Sequence, residues 1–258
     1  MALYDSIGKT YDSTRCADPY LLSRLIHHLR PSRGFHFLDL GCGTGNYTIA
    51  MRAAGADIIG ADFSQVMLSR ARQKNPALPW YNARAEALPF GSNVFSGATC
   101  TFVHHHLQDT AAAFSEVFRV LKPKARFVLL NATVEQLEGY WLHEYFPRAM
   151  AQAIEPYRRF EAVGVLGAVG FKIECLEPYE IAPDLKDWFL YCGKNRPDRY
   201  LDPQVRSGIS TFAAAKDQEE IACGCERLAN DISSGRVADV IRSYERNKGD
   251  YMFTVASK

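Results

Sequence analysis

An α/β chain built on a parallel sheet with crossover helices is predicted. Apolar runs alternate with helix-patterned segments through the first two-thirds of the chain, Gly and Pro signals separate them, and 47% of the 258 residues are hydrophobic, ample for a packed core. After about residue 132 the alternation breaks, and long helix-patterned insertions follow the later strands.

The elements run in this order. Pro19–Arg30 (PYLLSRLIHHLR) reads as a helix preceding the sheet, with Asp18 at the N-cap, Pro19 at N1 and leucines at helical spacing. Phe35–Leu40 is the first strand, and Asn46–Gly55 a helix ended by a glycine. Asp57–Asp62 is the second strand, and Ser64–Asn75 a helix stopped before Pro76. Trp80–Phe90 holds a third strand and a turn, and Val94–Val103 a fourth strand. Thr110–Leu121 is helical, Lys122–Lys124 turns, and Ala125–Asn131 is the fifth strand. The aromatic-rich stretch Thr133–Pro156 reads as helical, Tyr157–Val169 as a helix covering the sheet, and Phe171–Ile181 as a sixth strand. Residues 182–249 are mostly helical in pattern before Asp250–Ser257 closes as the last strand. Stretches that long are rarely structureless in a compact domain. Insertions after parallel strands emerge on the carboxyl side, where ligands of open α/β sheets bind. One domain is therefore expected, with a core of about 19–132, 157–181 and 250–258 and a lid of about 1–18, 133–156 and 182–249.

Lys plus Arg total 30 against 29 for Asp plus Glu, so no summed field favours a nucleic acid or an acidic membrane surface. The first residues lack a signal-peptide layout and no apolar run reaches the ~18 residues of a membrane span, which predicts a soluble, cytoplasmic protein. Seven scattered cysteines without a C-x-x-C pair suit reduced thiols, and CGC at Cys223–Cys225 lacks the further ligands of a tetrahedral metal site. No metal is expected.

FLDLGCGTGNYT (Phe37–Thr48) places Gly41, Gly43 and Gly45 between a strand and a helix, and Asp62 ends the next strand about 20 residues on. Glycines permit close approach of backbone to a nucleoside, and an acid at that distance accepts from ribose hydroxyls. The spacing is G-x-G-x-G. A dinucleotide loop needs a glycine where Asn46 stands, and Asp39 would repel a pyrophosphate while welcoming a cationic amine.

FLDLGCGTG, GADFSQVML, ARAEALPF and EVFRVLKPKARFVLL resemble, in order, four successive motifs of the class I S-adenosylmethionine-dependent methyltransferases, in their broad small-molecule branch. The resemblance spans about Phe35–Leu130. It implies a Rossmann-like doubly wound sheet of about seven strands, the last antiparallel, with S-adenosylmethionine as cofactor and a small-molecule methyl acceptor. By position, Gly41, Gly43 and Gly45 would line the methionine and ribose, Asp39 would meet the amino group, and Asp62 would hold the ribose hydroxyls. Phe63 and Met67 would pack on adenine, with Ala85 and Glu86 at its polar edge. The N-terminal YDSIGKTYDSTR resembles the branch's cofactor-covering segment, so Tyr4 and Tyr11 would close over the site, Tyr4 toward the substrate, and Arg15 would pair with the cofactor's carboxylate. Ser96 departs from the pattern, which has an aspartate after the phenylalanine opening the fourth strand.

His104–His106 stand where the fourth strand ends. His105 and His106 match the family's recurring pair, and either could take a proton from an acceptor hydroxyl, amine or thiol. A histidine triplet can equally pack and cap, and methyl transfer can run on proximity alone. Trp141, Tyr145, Trp188 and Tyr191 are candidates for an aromatic acceptor pocket, against a default of lid core. Arg206, chief among Lys194, Arg196 and Arg199, could clamp an acceptor carboxylate. A binding protein that senses S-adenosylmethionine or a metabolite without turnover remains an alternative, and a nucleic-acid or protein substrate is disfavoured by the charge balance.

Overall fold

The computed structural model describes residues 11–159, 161–245 and 247–258. Tyr4 lies outside them. Seven strands form one sheet in the order β3-β2-β1-β4-β5-β7-β6: β1 (His36–Leu40), β2 (Asp57–Asp62), β3 (Trp80–Asn82), β4 (Phe95–Thr101), β5 (Leu121–Asn131), β6 (Lys172–Tyr179) and β7 (Tyr251–Ser257). β1 to β5 pair in parallel, whereas β7 runs antiparallel to both β5 and β6. The carboxyl ends of β1, β2 and β4 therefore share one rim. The central strands are buried on both faces, and their side chains alternate between two apolar layers: Phe37 packs with Leu21, Leu25 and Ile58, while Leu38 packs with Ala98, Phe114 and Phe127. Edge strand β6 instead shows alternating exposure.

Around the sheet lie α1 (Pro19–Leu29), α2 (Asn46–Ala53), α3 (Gln65–Lys74), α4 (Thr110–Val120), α5 (Val134–Glu138), α6 (Pro147–Arg159) and α7 (Ala162–Val169). The caps follow local chemistry: the side chains of Asp18, Ser64 and Asp109 accept from the first-turn amides of α1, α3 and α4. Tyr157, expected to open a sheet-covering helix, belongs to α6, which starts at Pro147; Glu161 then caps a separate helix over the sheet.

The second insertion folds into short helices, α8 (Pro203–Ser207) and α9 (Ser210–Ala213), followed by α10 (Gln218–Ser234) and α11 (Val237–Tyr244). Its aromatic residues form a continuous cluster with α1, α6 and the sheet, in which Tyr140 stacks on Tyr191 at 3.7 Å and the Tyr140 and Tyr200 hydroxyls meet at 2.5 Å. Glu220 of α10 accepts from the Arg148 and Ala149 amides at the start of α6, which fixes α10 against α6. No helix among the described residues is long and apolar enough to cross a membrane.

Candidate active site

Two clefts open at the carboxyl rim and share Arg15, Phe102 and His106. The first, of about 1020 Å³ counting its mouth, is walled by the glycine loop, the end of β2, Ala83–Glu86 and the segment after β4. It brings together Tyr11, Arg15, Gly41, Gly43, Asp62, Phe63, Met67, Ala85, Glu86 and His106.

The glycine loop is shaped by backbone necessity. Gly41, Gly43 and Gly45 have φ of 71°, 55° and 78°, in the left-handed region. Gly41 and Gly45 are also closely packed: a Cβ would come within 2.2 Å of Val103 Cγ2 at the first and 2.4 Å of Trp80 at the second. Gly45, expected to line the cofactor, thus backs onto Trp80 and does not border the cleft. At Gly43 a Cβ would meet nothing nearer than Met67 Cε at 3.8 Å, so the loop is open to a ligand there.

Asp62 accepts from the Gly43 amide at 2.8 Å through one oxygen and from the Ser64 amide at 2.8 Å through the other, which aims the carboxylate along the cleft wall. Burial raises its pKa. Asp39 lies deeper, 3% exposed, accepting from Thr48 Oγ1 at 2.6 Å and Thr99 Oγ1 at 2.9 Å. Burial pushes its pKa up to about 6, against the opposing pull of these two hydroxyls. Asp39 faces a small side enclosure that also contains Arg15, Asp187 and Thr101. Thr101 Oγ1 is buried without a partner among the described residues, a polar atom left over at the place where a nucleoside's amino-acid arm would need one.

Arg15 was expected to hold a carboxylate of the cofactor. Its guanidinium instead grips Asp187 with Nε at 2.5 Å and Nη2 at 3.2 Å, and the Tyr47 hydroxyl donates to the same carboxylate at 3.0 Å. The segment 11–16 is strapped down on both sides: Asp12 takes bonds from Thr44 at 2.6 Å and Lys74 at 2.9 Å, and the Trp188 amide donates to the Thr14 carbonyl. Asp12 and Lys74 thereby sit at the start of α2, where a pyrophosphate would need to bind.

The second cleft, about 970 Å³, lies under the lid. Its walls are Phe102, Leu137, Ala149, Ala153, Pro156, Tyr157, Phe189, Leu190, Ile209, Ala214 and Tyr251, with His105, His106, Arg15, Gln152, Ser210 and Thr211 as the polar groups. No carboxylate among the described residues lines it. His105 borders only this cleft, its Nδ1 2.8 Å from the Tyr157 hydroxyl and its ring stacked on the Tyr157 ring at 5.1 Å. The His105 and His106 rings are 3.8 Å apart. Burial drives His105 well below the ordinary imidazole range, helped by the neighbouring imidazoles, and lowers His106 to about 4. Asp109 caps α4.

The other acceptor candidates do not line this cleft. Trp141, Tyr145 and Tyr191 are 1–2% exposed in the lid core, where Tyr145 donates to Asp231 and Tyr191 to the Gln136 carbonyl. Trp188 packs under Arg199 at 4.8 Å. Arg206 donates to the Tyr200 carbonyl, Lys194 pairs with Asp250 and Arg196 with Asp198, so these cations serve the lid. Spacing alone could not separate aromatics facing the cleft from those facing the lid core. Phe102 was not foreseen either. It holds φ at +59° and touches both clefts and the side enclosure. Ser96, at the departure from the family pattern, accepts from Lys122 at 3.2 Å.

The described polar groups fit a cationic nucleoside without phosphates: an open glycine at Gly43, Asp62 and Glu86 on the first cleft and Asp39 on the side enclosure, with Arg15 and Lys74 already engaged by Asp187 and Asp12. Residues 38–129 match the family model described as "Methyltransferase domain". A demethylmenaquinone methyltransferase of Thermus thermophilus is 32% identical over 186 residues, covering 69% of this chain and 78% of that protein. Another, of Lactiplantibacillus plantarum, is 42% identical over 145 residues, or 51% of this chain and 61% of the relative. Several of these relatives are matched over only 45% to 61% of their own length. Among solved structures, an inferred methyltransferase from an antibiotic biosynthesis pathway of Anabaena variabilis superposes with a TM-score of 0.80 at 27% identity, covering 95% of this chain and 99% of that one. With the family match over residues 38–129, which include the glycine loop and Asp62, and a relative 32% identical over 69% of this chain, the chain belongs to the S-adenosylmethionine-dependent methyltransferases.

Proposed function

We propose that the chain transfers a methyl group from S-adenosylmethionine to a small, apolar, oxygen-bearing aromatic acceptor of the quinol type. The observation that carries this reading is the pair of clefts meeting at Phe102, His106 and Arg15, one floored by the glycine loop and bordered by Asp62 and Glu86, the other roofed by the lid with no carboxylate among its described lining residues. When bound, the cofactor supplies an electrophilic methyl on a sulfonium. Asp62 and Gly43 hold its ribose, Phe63 and Met67 flank the adenine, Ala85 and Glu86 meet its polar edge, and Asp39 with Thr101 faces the amino-acid arm. Tyr11 and Arg15 close the strap over it.

The aromatic walls Phe102, Tyr157, Phe189 and Tyr251 hold a flat acceptor against the junction and exclude water, which strengthens local electrostatics. Quinone substrates in the names of the relatives agree with such walls. His105 and His106 work as neutral imidazoles. Moving a proton from an ordinary phenol of pKa ~10 onto His106, which titrates at about 4, is uphill by roughly 8 kcal/mol. The acceptor's own acidity therefore supplies the nucleophile, and the chain contributes position and desolvation.

Calorimetry on Asp62→Ala tests the cofactor half: affinity for S-adenosylhomocysteine should fall well over tenfold, and an unchanged value removes the ribose assignment. Labelled S-adenosylmethionine incubated with a demethylated naphthoquinol tests the transfer half through mass detection of the methylated product. A chain that binds cofactor tightly yet forms no S-adenosylhomocysteine with quinols loses the quinol assignment, and one that forms none with any acceptor would be a sensor.

A further inference from the structure

Among the polar groups of the acceptor cleft, His105 has a partner that sets its chemistry. We infer that Tyr157 is a positioning residue: its hydroxyl donates to His105 Nδ1, keeps the ring proton on Nε2, and makes His105 a neutral hydrogen-bond donor to the acceptor's oxygen. This goes beyond the proposed methyl transfer and rests on that reading for the identity of the cleft.

The direction follows from the two groups. A phenol O–H is a stronger donor than a neutral imidazole N–H, and the unprotonated imidazole nitrogen is a stronger acceptor than a phenol oxygen. At 2.8 Å the favoured arrangement is therefore Tyr157 O–H to Nδ1. The proton then resides on Nε2. No hydrogen bond of that nitrogen is found among the described residues, and the ring it belongs to lines the acceptor cleft.

The surroundings disfavour a charged ring as well. Besides His105 the titratable residues lining the cleft are Arg15, His106, Tyr157 and Tyr251, and Arg15 is itself paired with Asp187, which also accepts from Tyr47. No anion stands by to hold an imidazolium. A neutral N–H donor suits an acceptor whose oxygen carries negative charge, such as an ionised hydroxyarene or an enolate, and cannot accept from a protonated amine. Tyr157 sits near the end of lid helix α6, so the donor is oriented only when the lid is docked on the segment after β4.

Long-range proton–nitrogen NMR on the full chain at pH 7 reads the tautomer directly, with His105→Gln identifying the signals. The expected result is a protonated Nε2 and a bare Nδ1 in the wild type, and a mixture of tautomers in Tyr157→Phe. A protonated Nδ1, or a doubly protonated ring, overturns the assignment. In parallel, the S-adenosylhomocysteine complex is titrated with 2-hydroxy-1,4-naphthoquinone, an acidic hydroxyarene. Its affinity should fall about tenfold in both Tyr157→Phe and His105→Gln, while S-adenosylhomocysteine affinity stays at the wild-type value. No binding by the wild type, or equal binding by all three proteins, refutes an anionic acceptor. Failure of S-adenosylhomocysteine to bind the wild type would instead sink the methyltransferase reading and leave the tautomer result standing. Should Tyr157→Phe fail to fold, the wild-type spectrum alone still decides the tautomer and His105→Gln carries the titration.

Discussion

Gly43 and Gly45 share a left-handed backbone but differ in what surrounds them. Alanine at position 45 would be driven into Trp80, a buried ring, whereas alanine at 43 has room. Urea denaturation should show Gly45→Ala losing several kcal/mol and Gly43→Ala about 1 kcal/mol, the strain of a single left-handed residue. Gly43→Ala should nonetheless lose S-adenosylhomocysteine affinity, because it fills the open floor. Equal stability losses would show that Trp80 can move aside.

Asp39 contributes a pH dependence of its own. Its folded pKa of about 6 lies above the unfolded value of 3.8, so folding favours its protonated form. Its contribution is fully present below pH 3.8 and is lost as pH rises through 6. Asp39→Asn does not titrate, so its stability relative to wild type should grow by on the order of 1 kcal/mol between pH 5 and pH 7.5. Cofactor affinity should move the other way and fall in the variant. A gap that stays constant with pH would show that Asp39 keeps an ordinary pKa.

At the scale of elements, the segment leaving β4 is under tension. Phe102 holds a left-handed conformation while its amide donates to the Leu130 carbonyl at 2.9 Å and its ring packs on Phe189 and Tyr251. The Leu130 bond and those ring contacts pin the strain at the junction of the clefts. Of two truncations, Phe102→Gly should be more stable than Phe102→Ala by about 1 kcal/mol, because only glycine removes the backbone penalty. Both should raise the Michaelis constant for a quinol acceptor. Thermal melts in which the alanine variant is the more stable would place the strain elsewhere. The caps and strands of the sheet were legible because each depends on neighbours in sequence: Asp18 before Pro19, Ser64 before the α3 repeat, the β1 glycines. Phe102 was not, since phenylalanine has no local preference for that backbone. The bond to Leu130 and the packing on Phe189 and Tyr251 come from distant parts of the chain.

In the whole molecule, lid and sheet share one apolar cluster running from Leu21 and Phe37 through Trp141 and Tyr191 to Phe253. Differential scanning calorimetry of the unliganded chain should therefore show a single cooperative transition, and two resolved peaks would mean that the lid unfolds by itself. Composition, the alternation of patterns and the motifs from Gly41 to Leu130 were enough to specify the sheet, the side on which ligands gather and the nucleoside cleft, because those features arise from spacing within short stretches. Which aromatic residues wall the acceptor cleft was out of reach of spacing: Tyr157 and Phe189 face it, while Trp141, Tyr145 and Tyr191 turn into the lid core. The same holds for Arg15, whose partner Asp187 is 172 residues away, and for the basicity of His105 and His106, which burial removes. A side chain's burial and partner are properties of contacts between segments far apart in the chain, and those exist only once the insertions have folded over the rim.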